Sequence, residues 1–352
     1  MKKWKLIFAI AFVAIMVIGC KNPSMPLLAP NTTIEISKPY KYSCWPMCGS
    51  IKDKLVCVYT IGDSHFDNYN NDTYVSVSSD GINWSEKKCI INTPNKRDGI
   101  TGKGNDKDGN MLILDRIGPP GTQEAYFVVY QSSDGLDWKP ISQPKFETLV
   151  GHAGDIVNIP TVGLVSFFNT YGEDRPWGES RSWGLLKSID NGVTWTQQIV
   201  ETGLTSYECP SELSAVYLGN GRILVMGRLE NQDDEHTTMY QMQSSDYGAT
   251  WIRLRTNITG LQNTPSLLYD EKSGIVTMYI MDRGTGELKK YVAKEDAVWN
   301  KPTSWPAAEI ISSGWGKGID VGNVNTVRFK GNDFAAFYSG TSDLCGIYAV
   351  IQ

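Results

Sequence analysis

Short apolar runs in which hydrophobic and polar residues alternate recur along most of the chain. Tyr74–Val77 and Ala125–Tyr130 are two examples, and each run leads into a segment rich in Ser, Asp and Gly. Alternation with a period of two is typical of β-strands with one buried face, and Gly and Asp are typical of the tight turns between strands. The pattern therefore predicts an all-β protein built from short strands.

Four of these strands end in a segment of similar sequence. The segments are 78–84 (SSDGINW), 132–138 (SSDGLDW), 188–195 (SIDNGVTW) and 244–251 (SSDYGATW). We call them the repeat turns. Their aspartates Asp80, Asp134, Asp190 and Asp246 are 54, 56 and 56 residues apart. An Asp side chain can accept hydrogen bonds from the backbone of its own turn, Gly allows positive φ, and Trp can pack on neighbouring strands. We therefore expect the repeat turns to stabilise the fold rather than to catalyse a reaction.

The repeat turns resemble the Asp boxes of the sialidase superfamily of β-propellers. The last two fit the full Ser-x-Asp-x-Gly-x-Thr-Trp form, and the first two are one residue shorter. The resemblance covers roughly residues 40 to 352 and implies a propeller. Asp boxes occur in propellers of unlike function, so the resemblance indicates the fold more strongly than the activity.

The period of the repeat predicts six blades. The last unit has strands at 325–329, 334–338 and 346–351 and is one strand short of a four-stranded blade. We expect Thr33–Ile36 to pair beside the strand at 346–351 and to close the ring, because a closed ring leaves no open sheet edge. The predicted fold class is an all-β, six-bladed β-propeller over residues 33–352.

The first residues are typical of a bacterial lipoprotein signal. Lys2, Lys3 and Lys5 precede an apolar stretch at 6–19, and Cys20 follows in a segment that resembles a lipobox. The alternative is an uncleaved signal anchor. The resemblance implies a signal peptide at 1–19, a lipidated Cys20 with a linker at 20–32, and a membrane partner reached through the lipid. We expect export to the outer membrane or cell surface of a bacterium.

The charge and the cysteine content of the chain limit which other partners and cofactors we expect. The chain has 33 basic and 38 acidic residues, a net charge of −5, so we expect no nucleic-acid partner. Six cysteines besides Cys20 match no zinc pattern; they are either buried free thiols or include a Cys44–Cys48 or Cys57–Cys89 bridge. No phosphate loop or zinc motif is present, and we expect no metal, no cofactor and a monomer.

In a propeller, ligands usually meet the face where the innermost strands begin and the second strands end. We therefore take polar residues at these strand ends as candidate site residues. The strongest match to a sialidase pairs Glu208 with Arg228, twenty residues later. The resemblance implies that Arg228 binds a substrate carboxylate and that Glu208 polarises the catalytic tyrosine; the alternative is an ion pair between adjacent strands. Arg283 falls one blade later at the same strand end, where it binds the carboxylate too, is an exposed turn arginine, or pairs with Asp282. Arginine suits this role because its planar fork binds a carboxylate with two parallel hydrogen bonds.

Two departures from the sialidase pattern limit this interpretation. The stretch 43–46 (SCWP) lacks the family's first arginine, and no tyrosine lies near Asp320 where the nucleophile is expected. We expect Arg116 to replace the missing arginine and Asp320 to supply a carboxylate at the tyrosine position. Asp67 is the candidate general acid, the remaining candidates for substrate binding are Tyr338, His152 and Asp155, and His152 is also a possible general acid.

The predicted function is hydrolysis of an acidic glycan, carrying sialic or uronic acid, by a sialidase-like glycosidase at the cell surface or in the periplasm. The alternative is a propeller that binds a glycan or a protein without catalysis. Carboxyl groups held in ion pairs favour binding, whereas two carboxyl groups roughly 5 to 9.5 Å apart near an arginine pair favour hydrolysis.

Overall fold

The computed structural model describes residues 31–65, 71–119, 125–148, 150–170, 180–232, 235–260, 264–315 and 320–352. Residues 1–30, with the expected signal peptide and Cys20, lie outside the described residues, as does Asp67. The described part contains 24 strands and, apart from one short α-helix and one 3₁₀ turn, no helix, so the prediction of an all-β protein is confirmed. No helix within these ranges is long and apolar enough to cross a membrane.

The antiparallel pairings of the described strands form sets of four, and all but the last set consist of neighbours in sequence. The first set is β2 (Tyr42–Ile51), β3 (Lys54–Gly62), β4 (Asp72–Ser78) and β5 (Lys88–Ile91); the second is β6 (Ile100–Asn105), β7 (Met111–Ile117), β8 (Tyr126–Ser132) and β9 (Lys139–Ser142); the third is β10 (Val150–Ile159), β11 (Gly163–Thr170), β12 (Arg181–Ser188) and β13 (Thr196–Leu204). The fourth set is β14 (Pro210–Gly219), β15 (Arg222–Leu229), β16 (Thr238–Ser244) and β17 (Ile252–Thr259); the fifth is β18 (Ser266–Asp270), β19 (Ile275–Asp282), β20 (Glu287–Lys294) and β21 (Glu309–Ser312). A short helix α1 (Glu295–Asn300) and a 3₁₀ turn (Pro302–Ser304) interrupt the fifth set before β21.

The last set combines the two ends of the described chain. β22 (Asp320–Phe329), β23 (Asn332–Gly340) and β24 (Cys345–Ile351) pair in order, and β1 (Thr32–Ser37) pairs antiparallel with β24. The register joins Thr33 to Val350 and Ile34 to Ala349. The predicted pairing of the first strand with the last is therefore confirmed. Between sets, single parallel pairs join β6 to β10 and β2 to β24.

The first strands of the sets contact one another in sequence order, from β2 through β6, β10, β14 and β18 to β22, and β22 contacts β2 again. Glycine backbones allow this approach: a Cβ on Gly154 would lie 1.9 Å from the carbonyl oxygen of Leu213, and one on Gly102 would lie 2.1 Å from that of Gly154. Apolar residues fill the spaces between adjacent sets, for example Val58 and Val75 against Ile113. The first strands thus surround a common centre.

Each repeat turn is stabilised by its own backbone and packs on the set before it. In the first, Asp80 Oδ1 accepts hydrogen bonds from the amides of Ile82 and Asn83, both at 2.8 Å. Gly81 has φ +76°, and a Cβ there would lie 2.3 Å from Phe334 of the last set. The Trp84 indole donates to the Gly81 carbonyl at 3.2 Å. The same tryptophan-to-glycine bond recurs in the other three turns at 2.9 to 3.1 Å.

The six described cysteines are free thiols. Neither bridge considered from the sequence forms, because the strand register decides which side chains meet. Cys48 lies opposite Cys57 across β2 and β3, whereas Cys89 lies opposite Tyr74 at the edge of the first set. Cys44, Cys48 and Cys57 are buried, which matches the interpretation as buried thiols.

Candidate functional site

A cavity of about 420 Å³ lies at the centre, where residues from or next to the first strands of all six sets meet. Its wall contains Arg97, Arg116, Arg228 and Arg283, together with His65 and His152. The carboxylates in the wall are Asp155, Glu212 and Glu230. Five of the residues predicted from the sequence, Arg116, His152, Asp155, Arg228 and Arg283, therefore lie in one place.

Bulges in the first strands aim several side chains at this cavity. The register shifts between Cys44 and Met47 in β2, between Ser211 and Ser214 in β14, and between Gly322 and Asn325 in β22. Each bulge contains one residue with positive φ: Trp45 at 51°, Glu212 at 49° and Asn323 at 47°. All three line the cavity. A bulge re-aims a side chain that regular alternation would place elsewhere.

Glu212, and not Glu208, is the carboxylate beside Arg228. The Arg228 Nε lies 2.7 Å from Glu212 Oε2, and Nη2 donates to Oε1 at 3.1 Å. Thr264 Oγ1 donates to the same carboxylate at 2.5 Å. Burial alone would raise the pKa of Glu212, but the positive charge of Arg228 and the contribution of His152 hold it at about 2. Glu212 is thus an ionised partner of Arg228.

The expected placement of Glu208 needs correction. Glu208 precedes β14 in a turn, and its Oε2 accepts hydrogen bonds from the backbone amide of Thr205 at 3.1 Å and from its hydroxyl at 3.0 Å. These bonds keep the carboxylate in its own turn, and Glu208 does not line the cavity. Both glutamates lie within five residues in the sequence, and only the bulge at Glu212 decides which one faces inward.

Asp320 is the centre of a second cluster, which we call the Asp320 cluster. Its Oδ2 lies 2.5 Å from His65 Nδ1 and accepts a hydrogen bond from the Tyr42 hydroxyl at 2.8 Å; its Oδ1 accepts one from the Tyr338 hydroxyl at 3.1 Å. Burial would raise the pKa of Asp320, but the hydrogen bonds from His65 and Tyr42 and the charge of Arg283 lower it. Asp320 is therefore a carboxylate whose two oxygens are both occupied.

The two tyrosines of this cluster are fully buried, and burial raises the pKa of each well above its ordinary value. Arg283 connects the cluster to the cavity: its Nη2 donates to the Tyr338 hydroxyl at 2.8 Å and its Nε to the Val321 carbonyl at 2.8 Å. Arg283 is thus held by the cluster and does not pair with Asp282, which instead contacts Lys289 at 2.6 Å. Tyr338 positions Arg283 rather than lining the cavity itself.

The other predicted residues of the cavity wall contact neighbouring residues of the wall or behind it. Asp155 Oδ2 accepts from Ser214 at 3.1 Å, and its Oδ1 lies 3.7 Å from Lys103. Arg116 Nε donates to the Val150 carbonyl at 3.3 Å. Burial lowers the pKa of His152, and although the charges of Glu212 and Glu230 oppose this shift, the pKa stays below its ordinary value. His152 is therefore a neutral imidazole in the wall at pH 7.

Sequence reasoning missed Arg97, Glu212 and Tyr42. Arg97 lies three residues before β6, and Glu212 lies four residues after Glu208, in the same segment. The signal that identifies Glu212 is its place inside a strand that begins at Pro210, since Glu208 lies before that strand.

Comparisons with known proteins show the fold. No protein-family model matches the sequence, and no curated protein does either. A protein of unknown function from Dyadobacter fermentans superposes with a TM-score of 0.73 at 16% identity, over 92% of this chain and 99% of that one. Trypanosoma rangeli sialidase in complex with sialic acid superposes with a TM-score of 0.63 at 15% identity, over 92% of this chain and 59% of that one. The NanB sialidase from Streptococcus pneumoniae gives 0.65 at 13% identity, over 93% and 70%. This chain therefore has a sialidase-like fold.

Proposed function

We propose that residues 33–352 form a six-bladed β-propeller and that its central cavity binds a sugar through a carboxylate. Six antiparallel sets of four strands among the described residues, the pairing of β1 with β24 and the contacts of β22 with β2 support the ring. The sialidase-like fold of the neighbours supports the same architecture.

The observation that carries the proposed ligand is the meeting of Arg97, Arg116, Arg228 and Arg283 in one cavity wall. They come from three of the six sets and from the segment before β6. Four guanidinium groups around one cavity repel one another unless anions lie between them, and a planar carboxylate matches the guanidinium fork. The cavity volume of about 420 Å³ lies in the range of small-molecule sites.

The wall also holds three carboxylates, each with a cation beside it. Glu230 lies 2.7 Å from the buried Arg181, Asp155 lies 3.7 Å from Lys103, and Glu212 pairs with Arg228. Asp320, which does not line the cavity, lies 3.8 Å from Arg283. Arginines outnumber carboxylates in the described wall by four to three, which favours an acidic ligand.

Calorimetric titration with N-acetylneuraminic acid, glucuronic acid and galacturonic acid, each beside its methyl ester, tests this proposal. We expect the acid that binds to do so at least tenfold more tightly than its ester. Arg283→Ala should weaken binding by about ten- to a hundredfold, because a desolvated charge-assisted hydrogen bond contributes roughly 1.5 to 3 kcal/mol.

Arg328→Ala is the matched control, since Arg328 forms an ion pair with Asp333 outside the cavity wall. It should leave the affinity unchanged. Equal affinity for acid and ester, or equal losses in Arg283→Ala and Arg328→Ala, would reject carboxylate recognition.

Hydrolysis of the bound sugar is a second candidate function, and the Asp320 cluster favours it. A carboxylate 2.5 Å from His65 Nδ1 orients the imidazole, and His65 lines the cavity. An oriented imidazole at a cavity wall is suited to general acid–base catalysis. The ion pairing of Glu212, Glu230 and Asp155 favours binding alone, and the role of Asp67 as general acid stays a prediction.

Fluorogenic glycosides of the same acids separate the two candidates. For hydrolysis we expect release of the fluorophore by the parent, and its loss in His65→Gln with the calorimetric affinity retained. Binding of an acid without release from any of its glycosides would leave a binding propeller.

We also propose that the chain is exported and held in a membrane through a lipid on Cys20. Its support is the sequence from Lys2 to Cys20. Cys20→Ser should move the protein from the membrane pellet to the soluble fraction without changing its melting temperature, because Cys20 precedes β1, the first described strand. Retention of the variant in the pellet would mean that another segment holds it there.

A further inference from the structure

The interface between the first and second strand sets changes from apolar to polar towards the cavity. Val58, Val75, Ile100 and Ile113 pack together in its apolar part. Side chains two residues apart on a strand share a face. Thr60, Thr73 and Asp115 are each two residues from one of these apolar residues along a strand, on the side nearer the cavity, and so face into the same interface. Asp98 precedes β6, and its amide donates to the carbonyl oxygen of Asn71, next to β4 of the first set, which places it at the same interface.

Asp98 and Asp115 are each half satisfied. Asp98 Oδ2 accepts a hydrogen bond from the Thr93 amide at 2.9 Å, and Asp115 Oδ1 accepts one from the Gly99 amide at 2.8 Å. Both residues are 0% exposed. The second oxygens, Asp98 Oδ1 and Asp115 Oδ2, are buried and have no hydrogen-bond partner within the described part of the chain.

Three neutral side chains near these carboxyl groups also have buried polar atoms without a hydrogen-bond partner in the described ranges. Thr60 lies opposite Thr73 in the register of β3 and β4, and Asn71, two residues before Thr73, accepts the backbone amide of Asp98 at its carbonyl oxygen. The hydroxyls of Thr60 and Thr73 and both polar side-chain atoms of Asn71 are buried without a hydrogen-bond partner among the described residues. Asn71 is only 1% exposed.

Such a concentration of unsatisfied oxygens is unusual, because buried polar groups nearly always have partners. A divalent cation supplies the charge of +2 that holds two buried carboxyl groups in their ionised form. Oxygen donors without thiolate or imidazole are the ligands preferred by hard divalent cations, and Ca²⁺ accepts the irregular geometry of a protein cage more readily than Mg²⁺.

We propose that Asp98 and Asp115 hold a Ca²⁺ ion between the first two strand sets, with Asn71, Thr60 and Thr73 as neutral oxygen donors. The described residues contain no group of three or more His, Cys, Asp or Glu suited to a metal, so the neutral oxygens have to complete this site. From the sequence we expect no metal, and the proposed site departs from that expectation.

The position of the site gives the ion a structural role next to the cavity. Arg97 and Arg116, which line the cavity, are the immediate neighbours of Asp98 and Asp115. Successive side chains of a strand point to opposite sides, so the ion lies behind the backbone that carries these two arginines. It would fix that backbone without contacting the sugar.

Metal content and thermal unfolding of the full chain test the proposal. After dialysis against CaCl₂ and then metal-free buffer, we expect one Ca²⁺ per chain by mass spectrometry of the elements. We expect the melting temperature in excess Ca²⁺ to be roughly 5 °C higher than in EDTA, because an ion that binds only the folded state stabilises it. Equal melting temperatures of the parent in Ca²⁺ and in EDTA, with no bound metal, would overturn the proposal.

Variants locate the ion. Asp115→Asn and Asp98→Asn should each abolish the Ca²⁺-dependent shift, whereas Asp137→Asn, an exposed carboxylate paired with Lys88 at the surface, should retain it. Retention of bound Ca²⁺ by the double variant Asp98→Asn/Asp115→Asn would contradict this site. If a variant does not fold, terbium luminescence of the parent decides: Tyr130, which packs on the apolar cluster of this interface, should sensitise bound Tb³⁺, and Tyr130→Phe should lower the signal. An unchanged signal in Tyr130→Phe would place the ion elsewhere.

Discussion

The repeat turns and the central cavity hold carboxylates in opposite ways. In a repeat turn the partners are close in sequence: Asp190 accepts from the amide and the hydroxyl of Thr194, four residues later. In the cavity they are distant: Glu212 meets Arg228 and Thr264, 16 and 52 residues away, and Asp320 meets His65, 255 residues away. A carboxylate with local partners stabilises one turn, whereas one with distant partners joins several sets and shapes a site.

Removing the tryptophan of a repeat turn should give the largest effect and should affect stability only. Trp195 is 7% exposed and packs in the core between the second and third sets. We expect Trp195→Ala to lower the free energy of unfolding by about 3 to 5 kcal/mol, because it leaves a cavity. Urea denaturation measures this. The affinity for an acidic sugar should stay within twofold; a tenfold loss would show that turns and cavity are coupled. Trp195→Phe, which keeps most of the volume, should cost less than half as much.

Removing the charge of Glu212 should destabilise the cavity wall by a smaller amount. Glu212→Gln removes the ion pair between Glu212 and the guanidinium of Arg228, which is 13% exposed. We expect the free energy of unfolding to fall by about 3 kcal/mol, as for other buried pairs that lose one member.

Glu201→Gln is the matched control for that prediction. Glu201 forms a similar two-pronged pair with Arg253, but its side chain is 35% exposed. Exposed ion pairs contribute roughly 0 to 1 kcal/mol. Equal losses of unfolding free energy in the two variants would mean that burial does not make the Glu212–Arg228 pair more stabilising than the more exposed Glu201–Arg253 pair.

The pH dependence of stability should also differ between the two regions. Because the pKa of His152 is lower in the folded state, the unfolded state binds more protons, and stability falls as pH drops through the unfolded value near 6.5. The pKa values of Asp80 and Asp134 are also lowered, Asp80 to about 2, so their contribution persists above the unfolded value near 4 and is lost only as pH falls below it.

Urea denaturation at pH 8, 7, 6 and 5 measures this difference. We expect a slope of at most about 1.4 kcal/mol per pH unit from His152, and a flatter profile in His152→Gln. Asp80→Asn should leave the profile above pH 5 unchanged. A His152→Gln profile that is parallel to that of the parent would assign the slope to other groups.

Replacing one repeat-turn aspartate should have the smallest effect. Asp80→Asn keeps one side-chain acceptor for the amides of Ile82 and Asn83 but loses the charge that strengthens both hydrogen bonds. We expect a loss of about 1 kcal/mol in urea denaturation. A loss as large as that of Trp195→Ala would mean that the carboxylate, rather than the tryptophan, holds the turn on its neighbour.

The sequence by itself determined the features that depend on neighbours along the chain. Alternation predicted the strands, the repeat turns gave the period of the sets, and the missing strand of the last unit predicted the pairing of β1 with β24. It also placed Arg228 and Arg283 at the ends of second strands that meet in the cavity. These inferences hold because a strand, a turn and a register each follow from residues a few positions apart.

Only the tertiary structure decided which polar residues face inward. The choice of Glu212 over Glu208 depends on a bulge with positive φ, and the pairing of Asp320 with His65 and Tyr42 depends on β22 lying against β2. The unsatisfied oxygens of Asp98 and Asp115 appear only when two strand sets pack together. A bulge reverses the inward and outward alternation that sequence patterns rely on, and contacts between sets join residues whose separation along the chain carries no periodic signal.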